Sequence, residues 1–339
     1  MIKYVVLADL HLTVNPLDEY RWDLLHSDQV IKHLTQDTVL IIIGDLTEQK
    51  DKHTEALVTR VSNLIRKYSK LVLSVIILSG NHDGISSDRP FFRFINMLSN
   101  VTFIVKPKEI DKTLYLPHSR DPYKTWKNVF TNTSINTVFM HQSIKGSITQ
   151  SGFTMNDGIN VDIFPDNIKH IYSGDVHAPQ KHGRVVYVGA PYHIYFGDVY
   201  QGRLLILNNK FNIEKSVPLY SITKHKIRIT AMQELDHVKI QENDQVAIEY
   251  VVDIDEKHTW QKERLKIREY IKIKKAHLCS LNVSVNKPKI NKEQQKKMNK
   301  NKPTIISDDE LILQHTVDNK LTNFYRDRAL TLIEEASCI

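Results

Sequence analysis

Leu71-Val72-Leu73-Ser74-Val75-Ile76-Ile77-Leu78-Ser79-Gly80-Asn81-His82-Asp83 is the stretch whose reading decides the fold. A run rich in Val, Ile and Leu, closed by Gly-Asn, reads as a buried strand entering a turn. A buried strand delivers its C-terminal loop rigidly, so Asn81, His82 and Asp83 are held where their side chains can converge. The pattern recurs along the chain. Val5-Val6-Leu7-Ala8 precedes Asp9-Leu10-His11, and Val39-Leu40-Ile41-Ile42-Ile43 precedes Gly44-Asp45. Thr137-Val138-Phe139-Met140 precedes His141, and His170-Ile171-Tyr172-Ser173 precedes Gly174-Asp175-Val176-His177. Five strand ends therefore present oxygen and imidazole donors.

Between these strands, Ala56, Leu57, Val61, Leu64, Ile65 and Tyr68 follow a 3.6-residue period and predict an amphipathic helix over 52–68. Residues 27–34 and Phe91-Phe92-Arg93-Phe94-Ile95-Asn96-Met97-Leu98 predict further helices, the second packed on the sheet through its aromatics. Strand alternating with helix makes the start of a layered α/β domain. Short strands and turns fill 99–140, and a polar loop rich in Ser, Thr, Gly and Asn covers 142–160. Two more strands follow in 184–208, joined through the aromatic loop Tyr192-His193-Ile194-Tyr195-Phe196-Gly197.

Composition narrows the classes. A chain of 339 residues with 41% hydrophobic content can bury a substantial core. No apolar run approaches the length that spans a bilayer, and Asp9 and His11 interrupt the opening run, so neither a membrane span nor a signal peptide is expected. Two cysteines, Cys279 and Cys338, make no disulfide framework and suit a reducing cytoplasm. The net charge of +7 is concentrated, because residues 286–303 hold seven Lys against one Glu. A solvated linker explains most of it; a lysine arm making salt-dependent phosphate contacts is the functional alternative.

The expected organisation is a main domain over 1–217, a small α+β unit over 218–285, a Lys-rich linker over 286–303 and a helical segment over 304–339. In the last, Ser307 and Glu310 form a capping-box signature. Leu321, Phe324, Tyr325, Leu332 and Ile333 share one face of the terminal helix, a stripe that two short helices cannot bury alone.

Asp-x-His, Gly-Asp, Gly-Asn-His-Asp, a lone His and Gly-x-x-His resemble, in order and spacing, the motifs of calcineurin-like metallophosphoesterases over residues 9–177. Within that superfamily, Gly189-Ala190-Pro191-Tyr192, the length and the C-terminal layout resemble SbcD-type DNA repair nuclease subunits, especially phage forms. The resemblance implies a four-layer α/β/β/α sandwich with a capping domain that grips DNA. It implies two divalent ions, Asp9, His11, Asp45 and His177 on the first and Asp45 as bridge, Asn81, His141 and Asp175 on the second. His82 would contact the scissile phosphate and assist the leaving oxygen, with Asp83 orienting its ring. His53, His118 and His193 read as loop or core residues.

Three carboxylates, three imidazoles and an amide without a thiolate suit Mn²⁺, Fe²⁺, Zn²⁺ or Mg²⁺ and argue against a sulfur-rich structural zinc site. One departure shifts the preference toward Mn²⁺ or Mg²⁺: Asp175-Val176-His177 stands where most resembling proteins carry His-x-His. The resemblance implies DNA and an SMC-like coiled-coil ATPase, docked on the 304–339 helices, as partners, and it allows a homodimer. The expected activity is metal-dependent DNA hydrolysis, exonucleolytic with endonucleolytic cleavage as a further option, in end processing, recombination and repair. The rivals are a small-molecule phosphodiesterase or phosphoprotein phosphatase with the same metals, and an inert DNA-end scaffold.

Overall fold

The computed structural model describes residues 2–86, 89–253 and 260–285. The described residues up to Val285 belong to one compact unit. The Lys-rich linker, the helical segment and its stripe from Leu321 to Ile333 lie outside the described residues.

The chain first lays down four parallel strands, β1 (Lys3–Ala8), β2 (Thr38–Ile43), β3 (Ser74–Leu78) and β4 (Val101–Ile104). Around them run the helices α1 (Glu19–His26), α2 (Asp28–Ile31) and α3 (Glu55–Leu71). A second sheet follows from β5 (Lys108–Ile110), β6 (Thr113–Leu116), β7 (Thr137–His141), β8 (His170–Gly174), β9 (Gln180–His182) and β10 (Val185–Tyr187). The single-turn helix α4 (Pro122–Thr125) interrupts it. Strands β11 (Arg203–Leu207) and β12 (Ile213–Pro218) return to the first sheet, giving the orders β12-β11-β1-β2-β3-β4 and β5-β6-β7-β8-β10-β9.

The two sheets pack face to face. Successive side chains of a strand point to opposite faces, so Val6, Ala8, Ile41, Ile43, Ile76 and Leu78 face inward against Tyr115, Phe139 and Tyr172. Val5, Leu7, Leu40, Ile42, Val75 and Ile77 face outward and are covered by Trp22 and by Leu57, Val61, Leu64, Ile65 and Tyr68 of α3. Burial on both faces explains why these strands read as unbroken apolar runs. Helix α3 starts where the Thr54 side chain accepts the Leu57 amide hydrogen.

The outer face of the second sheet is covered differently. Trp126, Ile135, Ile144, Phe164 and Ile168 bury it from loops, with only α4 and a 3-10 turn at Val161–Ile163 as regular structure. The intervening segments are rich in Asn, Ser, Thr and Gly, which favour turns over helix interiors.

Phe91–Met97 is a helix as its sequence suggests, wound in the 3-10 form. Aromatic and β-branched residues are weak α-formers, and Pro90 fixes the entry. Three residues per turn bury Phe92 and Ile95 and leave Phe91, Phe94 and Met97 in one exposed row.

The remaining strands, β13 (Lys224–Ile229), β14 (Gln245–Val252) and β15 (His277–Val285), form a parallel three-stranded sheet. Helix α5 (Trp260–Ile273) lies between the last two in sequence and buries Ile267 and Ile271 in this sheet's core. Among the described residues no helix is long and apolar enough to cross a membrane.

Candidate metal centre

Parallel registration aligns the ends of the first sheet. Ala8 pairs with Ile43, Ile43 with Leu78 and Leu78 with Ile104, so one row of residues crosses four strands. The chain leaves that row directly into Asp9, Gly44-Asp45 and Gly80-Asn81. In the second sheet Met140 pairs with Ser173 and His141 with Gly174, which places Asp175 and His177 just beyond. Asp9, His11, Asp45 and Asp175 adopt positive φ angles of 52°, 43°, 48° and 75°. This left-handed turn is tolerated best by short polar side chains after glycine, and here it breaks the strand at the donor residue.

The seven sequence-predicted donors converge. His11 Nε2 lies 3.1 Å from His177 Nε2. One oxygen of Asp45, Oδ2, lies 3.4 Å from His11 Nε2 and 3.4 Å from His141 Nε2. His141 Nε2 is 3.1 Å from Asn81 Oδ1 and 3.8 Å from Asp175 Oδ1. Asp9 Oδ1 accepts the Asp175 backbone amide at 2.9 Å, while Asp9 Oδ2 is buried without a hydrogen-bond partner. Donor atoms of Asp9, His11 and His177 group within reach of one ion, as do those of Asp9, Asp45 and His141. Asp9 thus belongs to both groups, and Asp45 spans the two imidazoles.

The tautomers fit cation binding. His141 Nδ1 donates to the Ile43 carbonyl at 3.0 Å, leaving the Nε2 lone pair inward. His11 Nδ1 lies 2.8 Å from Glu48 Oε2, close enough for ionic attraction though not aligned as a hydrogen bond. This too leaves its Nε2 inward. The Asn81 amide oxygen faces the Asp45 carboxylate and His141 Nε2, three lone-pair bearers together. Turning the amide would let its nitrogen donate to Asp45 Oδ2 at 3.0 Å, but the oxygen-inward orientation is the one a cation stabilises. A hard N/O set with an unpartnered carboxylate oxygen therefore fits divalent metal, and Asp9, His11, Asp45, His141 and His177 bring donor atoms within reach of a shared ion.

Electrostatics point the same way. Burial opposes protonation of His141, yet Asp45, Asp9 and Asp175 outweigh it and push its pKa well above the ordinary imidazole value. Burial, then the neighbouring His11, lowers His177 to about 3. Burial alone would raise the Asp45 carboxyl, but His141, with His11 and His82, holds it below the usual range. Asp45 and the facing His11 and His141 imidazoles therefore stabilise one another's charged forms, whereas burial and the like charge of His11 keep His177 neutral.

His82 flanks this cluster. Its backbone amide donates to Asp45 Oδ1 at 2.8 Å, its ring stands edge-on 4.9 Å from that of His11, and its Nδ1 donates to the Glu48 carbonyl at 2.6 Å. The expected orienting role of Asp83 is corrected by these contacts. The Asp83 carboxylate is buried and accepts the Leu46 and Gly80 amides at 2.9 and 2.7 Å, so it ties two donor loops together instead of touching the His82 ring. An anion next to two inward backbone N–H groups satisfies them first.

Sequence reasoning missed Glu48 and Tyr195. Glu48 groups with His11 and His82, and although burial works to raise its carboxyl, the adjacent His11 and His82 imidazoles lower it to about 2. Its signal was its place three residues after Asp45 on the same loop. The Tyr195 ring stacks on His177 at 5.6 Å and 25°, with its hydroxyl 3.4 Å from Glu48 Oε1. His118 lies 6.2 Å from the His141 ring, and His53 bonds Thr47 Oγ1 at 3.0 Å. His193 accepts the Lys224 amide on the far side of the aromatic loop.

A family model described as calcineurin-like phosphoesterase matches residues 2–179. Among solved structures, the chain is similar to a novel archaeal phosphodiesterase at 14% identity, covering 64% of this chain and 100% of that one, with a TM-score of 0.33. It is similar to the Pseudomonas putida nuclease MPE at 17% identity, covering 64% and 87%, with a TM-score of 0.31. It is also similar to a cold-active protein-tyrosine phosphatase of a psychrophilic Shewanella species at 14% identity, covering 64% and 80%, with a TM-score of 0.31. No curated protein matches the chain.

Proposed function

The chain belongs to the calcineurin-like phosphoesterase family, and from that premise we propose that it is the nuclease subunit of a DNA-processing machine. In this reading it hydrolyses phosphodiester bonds of DNA with two divalent ions, Mn²⁺ or Mg²⁺, and works with an SMC-like coiled-coil ATPase in end processing, recombination and repair. The observation that carries the two-metal reading is the single Asp45 oxygen midway between His11 and His141. Asp9, His11, Asp45 and His177 would hold one ion, and Asp45, Asn81, His141 and Asp175 the other. When bound, such a pair activates a water and neutralises charge on the phosphate.

The protein's own groups do the rest. Glu48 and the Ile43 carbonyl fix the ring orientations of His11 and His141. The Glu48 carbonyl occupies His82 Nδ1, so Nε2 is the ring position free to bond a phosphate oxygen and pass a proton to the leaving group. Asp83, holding the 44–48 and 80–83 loops together, sets the distance between His82 and Asp45.

The DNA and ATPase assignments are supported by the motif resemblance and by the apolar positions Leu321, Phe324, Tyr325, Leu332 and Ile333 in the sequence of 304–339. The purified chain with Mn²⁺ should hydrolyse duplex DNA and bis-p-nitrophenyl phosphate, with p-nitrophenyl phosphate turned over poorly. Asp45→Asn should leave less than roughly a tenth of either diester activity under saturating metal. Preference for the monoester would make the chain a phosphatase, and an inert metal-loaded protein would make it a scaffold. Co-purification with a coiled-coil ATPase, lost in Phe324→Glu, tests the partner.

A further inference from the structure

Beyond the metal centre, one apolar ridge and one cationic groove have no role in the chemistry above. The three-residue period of the 91–97 helix lines up Phe91, Phe94 and Met97, which are 39%, 42% and 87% exposed. The ridge is anchored to the catalytic loops at its near end. The Phe91 amide donates to the Asp83 carbonyl at 2.9 Å. Its ring lies 4.1 Å from that of His53, which is bonded to Thr47 in the loop of Asp45.

At its far end, Asn96 exchanges hydrogen bonds with both backbone groups of Phe103. This contact brings the helix against a groove lined by Arg93, Phe103, Lys106, Pro107 and Lys108. The groove begins where β4 ends, in the same row of strand ends that carries Asp9, Asp45 and Asn81. Two strand spacings separate it from β2, about 10 Å. That is about three stacked nucleotides at roughly 3.4 Å each. Arg93, Lys106 and Lys108 are exposed, no carboxylate lines the groove, and among the described residues none of the three cations enters an ion pair.

We propose, on the nuclease reading above, that the Phe91–Phe94 ridge and the Arg93–Lys106–Lys108 groove form a track for single-stranded nucleic acid leading away from the metal centre. Flat apolar rings accept unpaired bases of any sequence, and free cations at the rim pair with the backbone phosphates. A small diester reaches the metals without touching either feature. A strand end crosses both.

The test uses the metal-loaded full chain, a labelled oligothymidylate and bis-p-nitrophenyl phosphate. Phe94→Ala should raise KM for the oligonucleotide about tenfold, the size of one lost base stack. Lys106→Ala with Lys108→Ala should raise it too, and should flatten the slope of log KM against log salt by about 1.4, two single-strand phosphate contacts. Both variants should keep kcat/KM for the small diester within about twofold, since neither touches a donor loop. Unchanged KM and salt slope for an oligonucleotide that is still cut would overturn the track and leave the nuclease reading standing. Altered self-association with unchanged KM would assign the ridge to a protein contact and also overturn it. A wild-type chain that hydrolyses the small diester and never engages any oligonucleotide would remove the nuclease reading itself.

Discussion

Asp45 is surrounded by imidazoles that attract protons when no ion holds their lone pairs. Burial works against the charged forms of His141 and His11, but the facing carboxylates outweigh it and raise both pKa values. His177, at about 3, stays neutral through the physiological range. Because the raised values lie above the unfolded-state value, protonated His11 and His141 stabilise the metal-free fold at low pH, and that contribution is lost as pH rises through the raised values. Metal binding displaces the same protons, so the two effects have opposite slopes. Mn²⁺ affinity is expected to climb by about tenfold per pH unit for each proton displaced, while the metal-free protein loses thermal stability over the same interval. Mn²⁺ titration calorimetry in buffers of differing ionisation enthalpy reads the proton count directly. Affinity independent of pH would mean that both imidazoles are already neutral without metal. The identities of these donors were legible in the sequence, since each follows a strand-forming run. Their tautomers were not, because Glu48 and the Ile43 carbonyl come to them from other strands.

The strand-to-loop turn is the element that turns a sheet edge into a site, and its glycines serve close approach as much as conformation. Gly44 has φ +71°, and a Cβ there would fall inside the His141 ring. A Cβ on Gly80 would collide with the Asp45 carboxylate. Gly44→Ala should therefore cost roughly 1–2 kcal/mol of backbone strain and displace His141 as well. The expected result is a folded protein that binds less Mn²⁺ and turns over at least about tenfold more slowly. Elemental analysis alongside circular dichroism checks it, and full metal content with wild-type turnover would mean that His141 does not pack on Gly44. At this scale the sheets were readable from Val/Ile/Leu runs, and α3 from its five buried positions. The 3-10 winding of the 91–97 helix was not. Over seven residues Phe92 and Ile95 fit a period of 3.0 as well as 3.6, and only the exposure of Phe91, Phe94 and Met97 separates them. Asp83 and Glu48 show the same limit, because spacing places a residue on a loop without fixing which way its side chain turns.

Across the whole described molecule, the three-stranded sheet is joined to the sandwich through a buried charge cluster that nothing in the sequence announced. Lys224, at the start of β13, extends its ammonium to Asp18 Oδ1 at 2.9 Å and to the Ile194 carbonyl at 3.2 Å. Arg21 reaches the same Asp18 oxygen at 3.2 Å and donates to the backbone carbonyl of His11. Asp18, Arg21 and Lys224 are all buried, so one carboxylate serves two cations. The rings of Tyr20, Tyr192 and Phe196 lie within 6 Å of the cationic heads and supply the remaining negative potential. The two cations are more than 200 residues apart in sequence, which is why the link is invisible to spacing. Its energetics are asymmetric. Lys224→Met keeps the Arg21–Asp18 pair and lays an apolar chain against Tyr20 and Phe196, so the loss should be small. Asp18→Ala leaves two buried cations facing each other without their anion and should cost about 3–5 kcal/mol. Urea unfolding of the two variants should give that order, and equal midpoints would mean that the rings and carbonyls alone hold the cations. Arg21→Met should fall between them in stability yet lower turnover more than Lys224→Met does, because it also removes the brace on the backbone carbonyl of His11, the residue whose ring faces Asp45.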